Sequence, residues 1–597
     1  MLAATAFALT AHRASRATSA TFDEPLHLLA ARLAARGELR LNPEHPALAK
    51  RLVGLALELG PATETDERIV ERAGAWVGQP SEGWPVAIEH LDRNRISARA
   101  QLDRARGVIA LFGTLAVLAT WWAARTAFGP LPACVSLAIC ASEPNLLAHA
   151  GVVTYDVPAL AGVAVALAGA ARLARPLPHP AGEHAARRPA RADLALCGLG
   201  LGLALAAKHS SLALAPVLVV WVAWRHRTGA ALSVTALAAA VVLLVHGGPR
   251  AYTDGARMML DGSAFRPSGA YLLGAVHERA PWTYHLVVLA TKVHPAFLAL
   301  GLAGAWAARR SSPLVRLAVV LATAQIALAT ASGAGLGVRY VLVAVPALAL
   351  GIAAFAARSR RALAVAALAV TLQAVDTGVR FPRYLDYFGP HCRAAGEAGS
   401  IALDSNLDWG QDLPTLARWQ EAHPAYGRVY LAYCGTADAR SYGARVHVLP
   451  GFGGYDLAGI APADEDAGTG PRVGLAVSAN HAHGYLTPPG SFDVVQTATP
   501  IARAGSIWIY DATDDPALAA FPARALAVRG DPRAERELAR LLAHPQGLER
   551  ARELALQLAR GAGRRDLARD VVARLLASPA ARGLSSDERA ALAGLYR

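Results

Sequence analysis

Four polar motifs interrupt an otherwise apolar chain, and their residue types could do chemistry. Asp23 and Glu24 stand together in TFDEP, residues 21–25, and Glu44, His45 and Lys50 follow in NPEHPALAK, residues 42–50. Acid, base and cation thus gather in one stretch, and a positioned carboxylate there could take a proton from a hydroxyl. An acid at a membrane boundary costs free energy unless it is solvated or paired. Asp23 ahead of Pro25 also fits a plain helix N-cap with proline in the first turn. The second motif, SEPNLLAHAGVVTYDVP at 142–158, holds His149 and Asp156 in a short turn. These are solvated loop polars, or they share a metal or phosphate site with Asp23.

Lys208 lies in the third motif, AAKHSS at 206–211. Only Lys50, Lys208 and Lys292 are lysines among 59 basic side chains; Arg supplies the rest. A lysine can snorkel to the membrane surface. In a chain that writes its cations as Arg, a retained Lys points to a compact point charge, as phosphate binding uses. The fourth motif is DSNLDWGQD, residues 404–412. A strand ending at Asp404 would deliver Asn406, Asp408, Trp409 and Gln411 to a loop of the kind that binds ligands. Trp stacking and Asn, Asp and Gln hydrogen bonds suit a sugar, and an Asp-rich turn with a helix cap is the plainer alternative. The spacing does not match a calcium loop of the EF-hand type.

The elements that must position these motifs are mostly membrane helices. Of 597 residues 54% are apolar and 17% charged, where soluble proteins carry roughly 25% charge. That composition argues against long disorder and against a wholly soluble protein. The net charge of +14 invites nucleic acid. The Arg residues, however, sit in short clusters between apolar runs, as in cytoplasmic loops. Cys134, Cys140 and Cys197 lie in apolar runs, and no CxxC spacing suggests a zinc site. Cys392 and Cys434 could pair if their region is outside the cytoplasm.

Eleven apolar runs fall near 2–9, 108–128, 131–147, 157–173, 194–207, 212–224, 230–245, 284–307, 314–330, 338–355 and 362–375. A span needs about 20 residues, so several count only with flanking Gly, Ser and His. The first is short; it reads as a span rather than a signal peptide because no basic segment precedes it. Arg clusters follow runs 4, 6, 8 and 10: Arg175, Arg187, Arg188 and Arg191; Arg225 and Arg227; Arg309, Arg310 and Arg316; Arg358, Arg360 and Arg361. Being in phase, they mark one side as the cytoplasm. The predicted protein is a polytopic α-helical membrane protein with about 11 transmembrane helices, in the cytoplasmic (inner) membrane.

Three regions follow: a transmembrane domain 1–379 with a large first outer loop 12–106, an extracytoplasmic α/β module 380–513, and a helical module 514–597. In the outer loop, 26–36 and 46–59 are amphipathic and suit interfacial helices. Residues 93–106 carry five Arg on the outer side. Strands are expected at 400–404, 429–433, 473–478 and 506–510, with a helix at 413–422. The last region reads as three to five antiparallel helices, broken near Gly530, 544–547 and 561–563, without a clear 34-residue repeat.

Taken together, TFDEPLHL, LNPEHPALAK, EPNLLAHAGVVTYDV, AAKHSSLALAP, GVRYVLVAVPALAL and DSNLDWGQDL resemble the bacterial membrane glycosyltransferases of the GT-C type. That group includes relatives of protein O-mannosyltransferases and the aminoarabinose transferase of lipid A. The resemblance runs from about residue 20 to 510. It implies GT-C architecture and a sugar donor carried on a polyprenyl phosphate, with transfer on the outer face and inversion at the sugar. It carries the catalytic base over to Asp23, with Glu24 as its paired neighbour. It implies donor or metal binding at Glu44, His45 and Asp156, and lipid-phosphate contacts at Lys50, Lys208 and Arg339. A divalent Mg, Mn or Zn ion at Glu44, His149 and Asp156 is the one cofactor implied. Ala275 stands where related sequences often carry an acid. Partners are the polyprenyl-phosphate sugar, membrane lipid and an acceptor of unknown kind; no nucleic acid is expected. The rival function is a transporter or flippase, and a membrane anchor is a third reading. Neither a repeat between the two halves nor polar residues spread through the spans supports transport.

Overall fold

The computed structural model describes residues 2–60, 80–92, 96–175, 190–261, 269–393, 398–449, 470–528 and, with short interruptions, 533–594. Arg187, Arg188, Gly530 and residues 561–563 lie outside the described residues. The chain forms two compact units, Met1–Trp409 and Gly410–Arg597.

The first unit is built of helices. Ala98–Phe128, Asp156–Leu173, His209–His246, Pro313–Ser332 and Arg360–Arg380 are long and apolar enough to cross a membrane. Two further pairs are bent, Pro130–Ala141 with Pro144–Ala150 at 59° and Tyr284–Lys292 with Pro295–Ala308 at 115°. By length and composition the described helices therefore give five spans, or up to seven with the bent pairs. This makes the protein a multi-pass membrane protein. Among the described residues, helices of spanning length do not by themselves give the count of about eleven expected from the apolar runs. Leu2–Ser15 has 14 residues and Ala344–Ala356 has 13. Runs 6 and 7 form two helices within Ala215–His246 that meet at a kink at Arg227, where φ is 74°.

The bends have identifiable causes. Pro144 and Pro295 each follow a residue that proline keeps out of helical geometry, Glu143 at ψ 115° and His294 at ψ 129°. Glu143 caps the helix after it by accepting from Leu146 N at 2.5 Å. Asn145, at the first bend, donates to Lys292 O at the second, 2.7 Å away. The Lys292 ammonium in turn donates to Leu385 O at 2.9 Å and to Asn406 O at 2.5 Å. The chain after the last long helix is thereby fastened to the membrane unit, which is why the division falls at Trp409/Gly410 and not at 379/380. Residues 400–404 accordingly form no strand. They pass between short 3-10 turns, Ala398–Ser400 and Asp404–Asn406, with one bridge from Ala402 to Leu272 in the hairpin β1 (Ala270–Leu272) and β2 (Ala275–His277). Ala275 is an exposed residue of that hairpin.

Glycine sets the helix spacing. Helix Asp156–Leu173 is buried almost all round and lies against Arg191–Ala207. A Cβ on Gly162 would stand 2.3 Å from Ala204 N, and one on Gly200 2.2 Å from Ala166 N. Such small-residue contacts let apolar helices approach closely in lipid.

The second unit holds a five-stranded sheet of order β4-β3-β5-β7-β6. Its strands are β3 (Tyr426–Ala432), β4 (His447–Val448), β5 (Arg472–Ser478), β6 (Ala502–Ala504) and β7 (Ile507–Asp511). β3 runs parallel to β4 and β5, and β7 antiparallel to β5 and β6. The expected helix is present as Leu413–Ala422. Helix Pro516–Val528 packs Leu518, Phe521 and Leu526 onto sheet residues Tyr430, Leu475 and Tyr510, so it shares the core of the sheet. Its Ala519, Ala523 and Ala527 face Leu538, Leu541 and Leu542 of the next helix. None of the five cysteines, Cys392 and Cys434 included, is joined in a disulfide.

If the Gly162/Gly200 contact sets the helix spacing, Gly200→Val should lower the thermal midpoint in detergent, because overpacking costs about 1–3 kcal/mol. Gly107→Ala, whose Cβ meets nothing within 4 Å, should leave it unchanged or raise it. Equal midpoints for Gly200→Val and wild type would refute the packing argument.

Candidate active site

Glu24 is wholly buried and pairs with Arg106. Arg106 Nε and Nη2 donate to its two carboxylate oxygens at 2.8 and 2.6 Å. Thr21 N donates to Oε2 at 2.7 Å and Val153 N to Oε1 at 2.9 Å. The guanidinium also donates to Ser15 O at 2.7 Å and to Ser19 O at 2.8 Å. One carboxylate thus ties three segments together: the turn after the first helix, the start of Ala98–Phe128, and the turn at 152–155. Burial works against its charge, but Arg106 and the two N–H donors outweigh it and hold its pKa below the usual range. Glu24 is therefore a buried anchor beside Asp23. Arg106 was read from the sequence only as part of a basic stretch; its place at the mouth of an apolar run is the signal that marks it.

Asp23 is the N-cap residue of helix Glu24–Ala35, yet its side chain makes no cap hydrogen bond. It accepts instead from Arg339 Nη1 at 3.2 Å and remains 27% exposed. The carboxylate is thus free of a capping role and pairs with Arg339 at the surface of the unit. Arg339 also donates to Leu336 O at 3.2 Å and lies over the Trp409 ring at 4.3 Å. Burial opposes its charge, and Asp23, Tyr340, Asp156 and Asp404 raise its pKa above the ordinary value.

Lys208 pairs with Asp156, and its ammonium stands 4.1 Å from the Tyr340 ring centre. Arg339 approaches the same ring at 5.5 Å. Gln325 supports Tyr340 from the membrane helix Pro313–Ser332, donating to its carbonyl at 3.1 Å. Asp156, Lys208, Ser211, Gln325, Arg339 and Tyr340 line a cleft whose other walls include Leu160, Val163, Leu214 and Val343. A cationic end joined to an aliphatic wall suits a lipid phosphate. Tyr340 and Gln325 went unnoticed in the sequence, since a Tyr beside Arg339 and a Gln inside an apolar run carry no distinctive spacing.

The NPEHP segment packs beside these groups. His45 stacks on Tyr155 at 4.1 Å, and His27 meets both rings. Burial, with neighbouring cations, pushes the His45 pKa well below its ordinary value. Glu44 is raised, chiefly by burial. Lys50 is buried and donates to Leu41 O at 3.1 Å and Asn42 O at 2.5 Å. Burial brings its pKa down to about 7 against the pull of Glu44. It braces the turn at Asn42, whose φ is 56°. His209 contacts Glu44 O at 2.9 Å, and His246 accepts from Ala47 N at 3.0 Å, so two histidines clamp the segment.

His149 is buried, with its ring 6.2 Å from Trp409. Among the described residues no three His, Cys, Asp or Glu side chains converge as a metal site. Glu44, His149 and Asp156 do not form one, and Asp156 is engaged by Lys208, so these residues do not fit a divalent ion. The DSNLDW turn is largely a latch. Asn406 donates to Tyr284 Oη at 3.0 Å and accepts from Val338 N at 3.1 Å, next to Arg339. Ser405 Oγ donates to Leu336 O at 2.6 Å. Asp404 holds φ 59° and accepts from Ser405 N at 2.5 Å; burial raises its pKa. Asp408 and Trp409 are buried, and Trp409 O accepts from Phe22 N at 2.9 Å. Gln411 lies in the second unit, where its amide donates to Asp412 at 3.2 Å.

With this geometry the chain resembles the GT-C type membrane glycosyltransferases. Residues 97–246 match the family described as dolichyl-phosphate-mannose-protein mannosyltransferase. A search of curated proteins finds no match to the sequence. Among solved structures, the crystal structure of ArnT from Cupriavidus metallidurans bound to undecaprenyl phosphate is similar at 15% identity. The similarity covers 85% of this chain and 97% of that one, with a TM-score of 0.45. The oligosaccharyltransferase of Archaeoglobus fulgidus, in complex with zinc and sulfate, is similar at 13% identity. That likeness spans 70% and 55% of the two chains, with a TM-score of 0.36.

Removing one partner of a buried ion pair typically costs about 3–5 kcal/mol. Arg106→Ala should therefore lower the unfolding midpoint markedly, and Glu24→Gln with Arg106→Met should lose less than the two single changes summed. Because the folded pKa of Glu24 is depressed, its contribution is present above pH ~4.5 and is lost as acidification passes the folded value. Unfolding curves of wild type and the variants from pH 2 to 7 test both statements; strict additivity would deny the pair its anchoring role.

Proposed function

We propose that the protein is an integral-membrane glycosyltransferase. It takes a sugar from a polyprenyl-phosphate donor and transfers it to an acceptor on the extracytoplasmic face, with Asp23 as general base. The observation that carries this reading is the uncapped Asp23 carboxylate paired with Arg339, together with Lys208 and Asp156 at a cleft with aliphatic walls. The family match over 97–246 supports it, as that stretch holds His149, Asp156 and Lys208.

The chemistry follows from the residues. Asp23 takes the proton of an acceptor hydroxyl as its oxygen bonds to the anomeric carbon. The bond from that carbon to the phosphate oxygen breaks, and the phosphate leaves with the electron pair. Attack opposite the leaving group inverts the anomeric centre. Lys208 and Arg339 face the charge that gathers on the leaving phosphate, which is where fixed cations contribute most. Lys50 and His45 act more remotely, shaping the NPEHP segment, and the aliphatic wall holds the first units of the polyprenyl chain. In this reading Asp404, Asn406, Asp408 and Trp409 hold Arg339 in place. The second unit, Gly410–Arg597, lies outside the cytoplasm and selects the acceptor, following the Arg clusters and the positive-inside rule.

Asp23→Asn should keep the fold without weakening donor binding and should lower turnover by at least ~10²-fold, the usual contribution of a positioned general base. The assay is transfer from a polyprenyl-phosphate sugar in detergent, with donor binding measured in parallel. Near wild-type turnover would move the base to another carboxylate. The topology has its own test: a reporter active only outside the cytoplasm should be active when fused after Arg597. Activity of a cytoplasm-only reporter at that position would overturn the orientation.

A further inference from the structure

In this structure each cation beside the cleft is already held by a carboxylate. Lys208 is paired with Asp156, and Arg339 with Asp23. The four side chains are 5–27% exposed, so water screens their charges poorly. Both cations also approach one ring, that of Tyr340. Two positive groups around one ring repel each other unless each is neutralised, and the two carboxylates do this. A phosphate entering the cleft meets the same two cations. It cannot add to a balanced set of two cations and two carboxylates without weakening at least one existing pair.

We propose that the donor phosphate binds by ion-pair exchange: it takes Lys208 from Asp156 and Arg339 from Asp23, and so releases the carboxylates for the acceptor. This rests on the donor-site reading above. Before exchange, Arg339 occupies Asp23 and the carboxylate is a poor partner for an acceptor hydroxyl. After exchange, the guanidinium serves the leaving phosphate and Asp23 can accept the hydroxyl hydrogen bond. The same movement thus prepares the leaving group and frees the base, and it makes binding ordered, donor first and acceptor second. Lys208 is suited to such a transfer. A compact ammonium on a flexible stem can turn from a carboxylate to a phosphate without losing a bidentate fork. The Tyr340 face remains beside it in both positions, offering cation–π attraction throughout.

The exchange has a signature opposite to that of a carboxylate that helps hold the donor. If Asp156 competes with phosphate for Lys208, removing its charge improves phosphate binding. The experiment titrates polyprenyl monophosphate, without a sugar, into the full-length protein in detergent. Wild type is compared with Lys208→Ala, Arg339→Ala, Asp156→Asn and Asp23→Asn. Lys208→Ala and Arg339→Ala should each weaken binding at least ten-fold, while Asp156→Asn and Asp23→Asn should each tighten it three-fold or more. The two Asn variants probe the two pairs separately, so a folding defect in the more buried Asp156→Asn leaves the Asp23 arm decisive. Weakened binding in the cation variants with unchanged or weaker binding in the Asn variants would overturn the exchange and leave the donor site standing. Unchanged binding in both cation variants would overturn the donor site and the exchange with it.

Discussion

The site depends on one buried ion pair. Glu24 and Arg106 are removed from water, and two such charges stay together inside a protein only if nearly every donor and acceptor around them is used. Here that requirement organises the surroundings. The Glu24 carboxylate takes the N–H groups of Thr21 and Val153, and the Arg106 guanidinium takes the carbonyls of Ser15 and Ser19. Asp23 is the adjacent residue, flanked by these fixed contacts. Trp409 O fixes Phe22 N on its other side, while the Trp409 ring carries the Arg339 guanidinium. The paired acids of TFDEP thus divide the work: one is spent on structure so that the other can be presented.

The three lysines show a related economy. Two of them, Lys50 and Lys292, point buried ammonium groups at pairs of backbone carbonyls. A compact ammonium carries three donors on one nitrogen and can reach two carbonyls from within a tight turn. Their retention in an Arg-rich chain is explained by bracing the Asn42 turn and fastening residues 385–406. Lys208 differs, since its ammonium meets a carboxylate and an aromatic face at the edge of a cleft. The scarcity of lysine marks positions where a compact charge matters, and only at Lys208 does the environment suit a phosphate.

Much of this was legible in the sequence, and the rest was hidden for physical reasons. The apolar runs and turn residues located the helices, and the helix Leu413–Ala422 and strand Arg472–Ser478 fall where periodicity put them. The number of spanning helices was harder to read, because apolar content alone does not reveal that Leu2–Ser15, Arg191–Ala207 and Ala344–Ala356 are helices of only 14, 17 and 13 residues. Residues 400–404 look like a strand by content but meet the hairpin only locally, through the Ala402–Leu272 bridge and the bond from Leu273 N to Ile401 O, beside the Lys292 and Asn406 contacts. Asp23, Lys208 and Asp156 were singled out from motif chemistry and Arg339 from the family resemblance, and the structure brings them together as two ion pairs. Which residue pairs with which was not legible, there or at Glu24, since Lys208 lies 52 residues from Asp156, Arg339 316 from Asp23 and Arg106 82 from Glu24. Nothing local in a sequence records such a separation.

The most direct test of the account is native mass spectrometry of the protein purified from its own membranes. The account predicts a bound polyprenyl monophosphate or its sugar-bearing form, retained by wild type and lost from a Lys208→Ala, Arg339→Ala double variant that still folds. Equal retention of that lipid by both proteins, or a wild-type protein that takes up no polyprenyl phosphate even when it is supplied, would contradict the account.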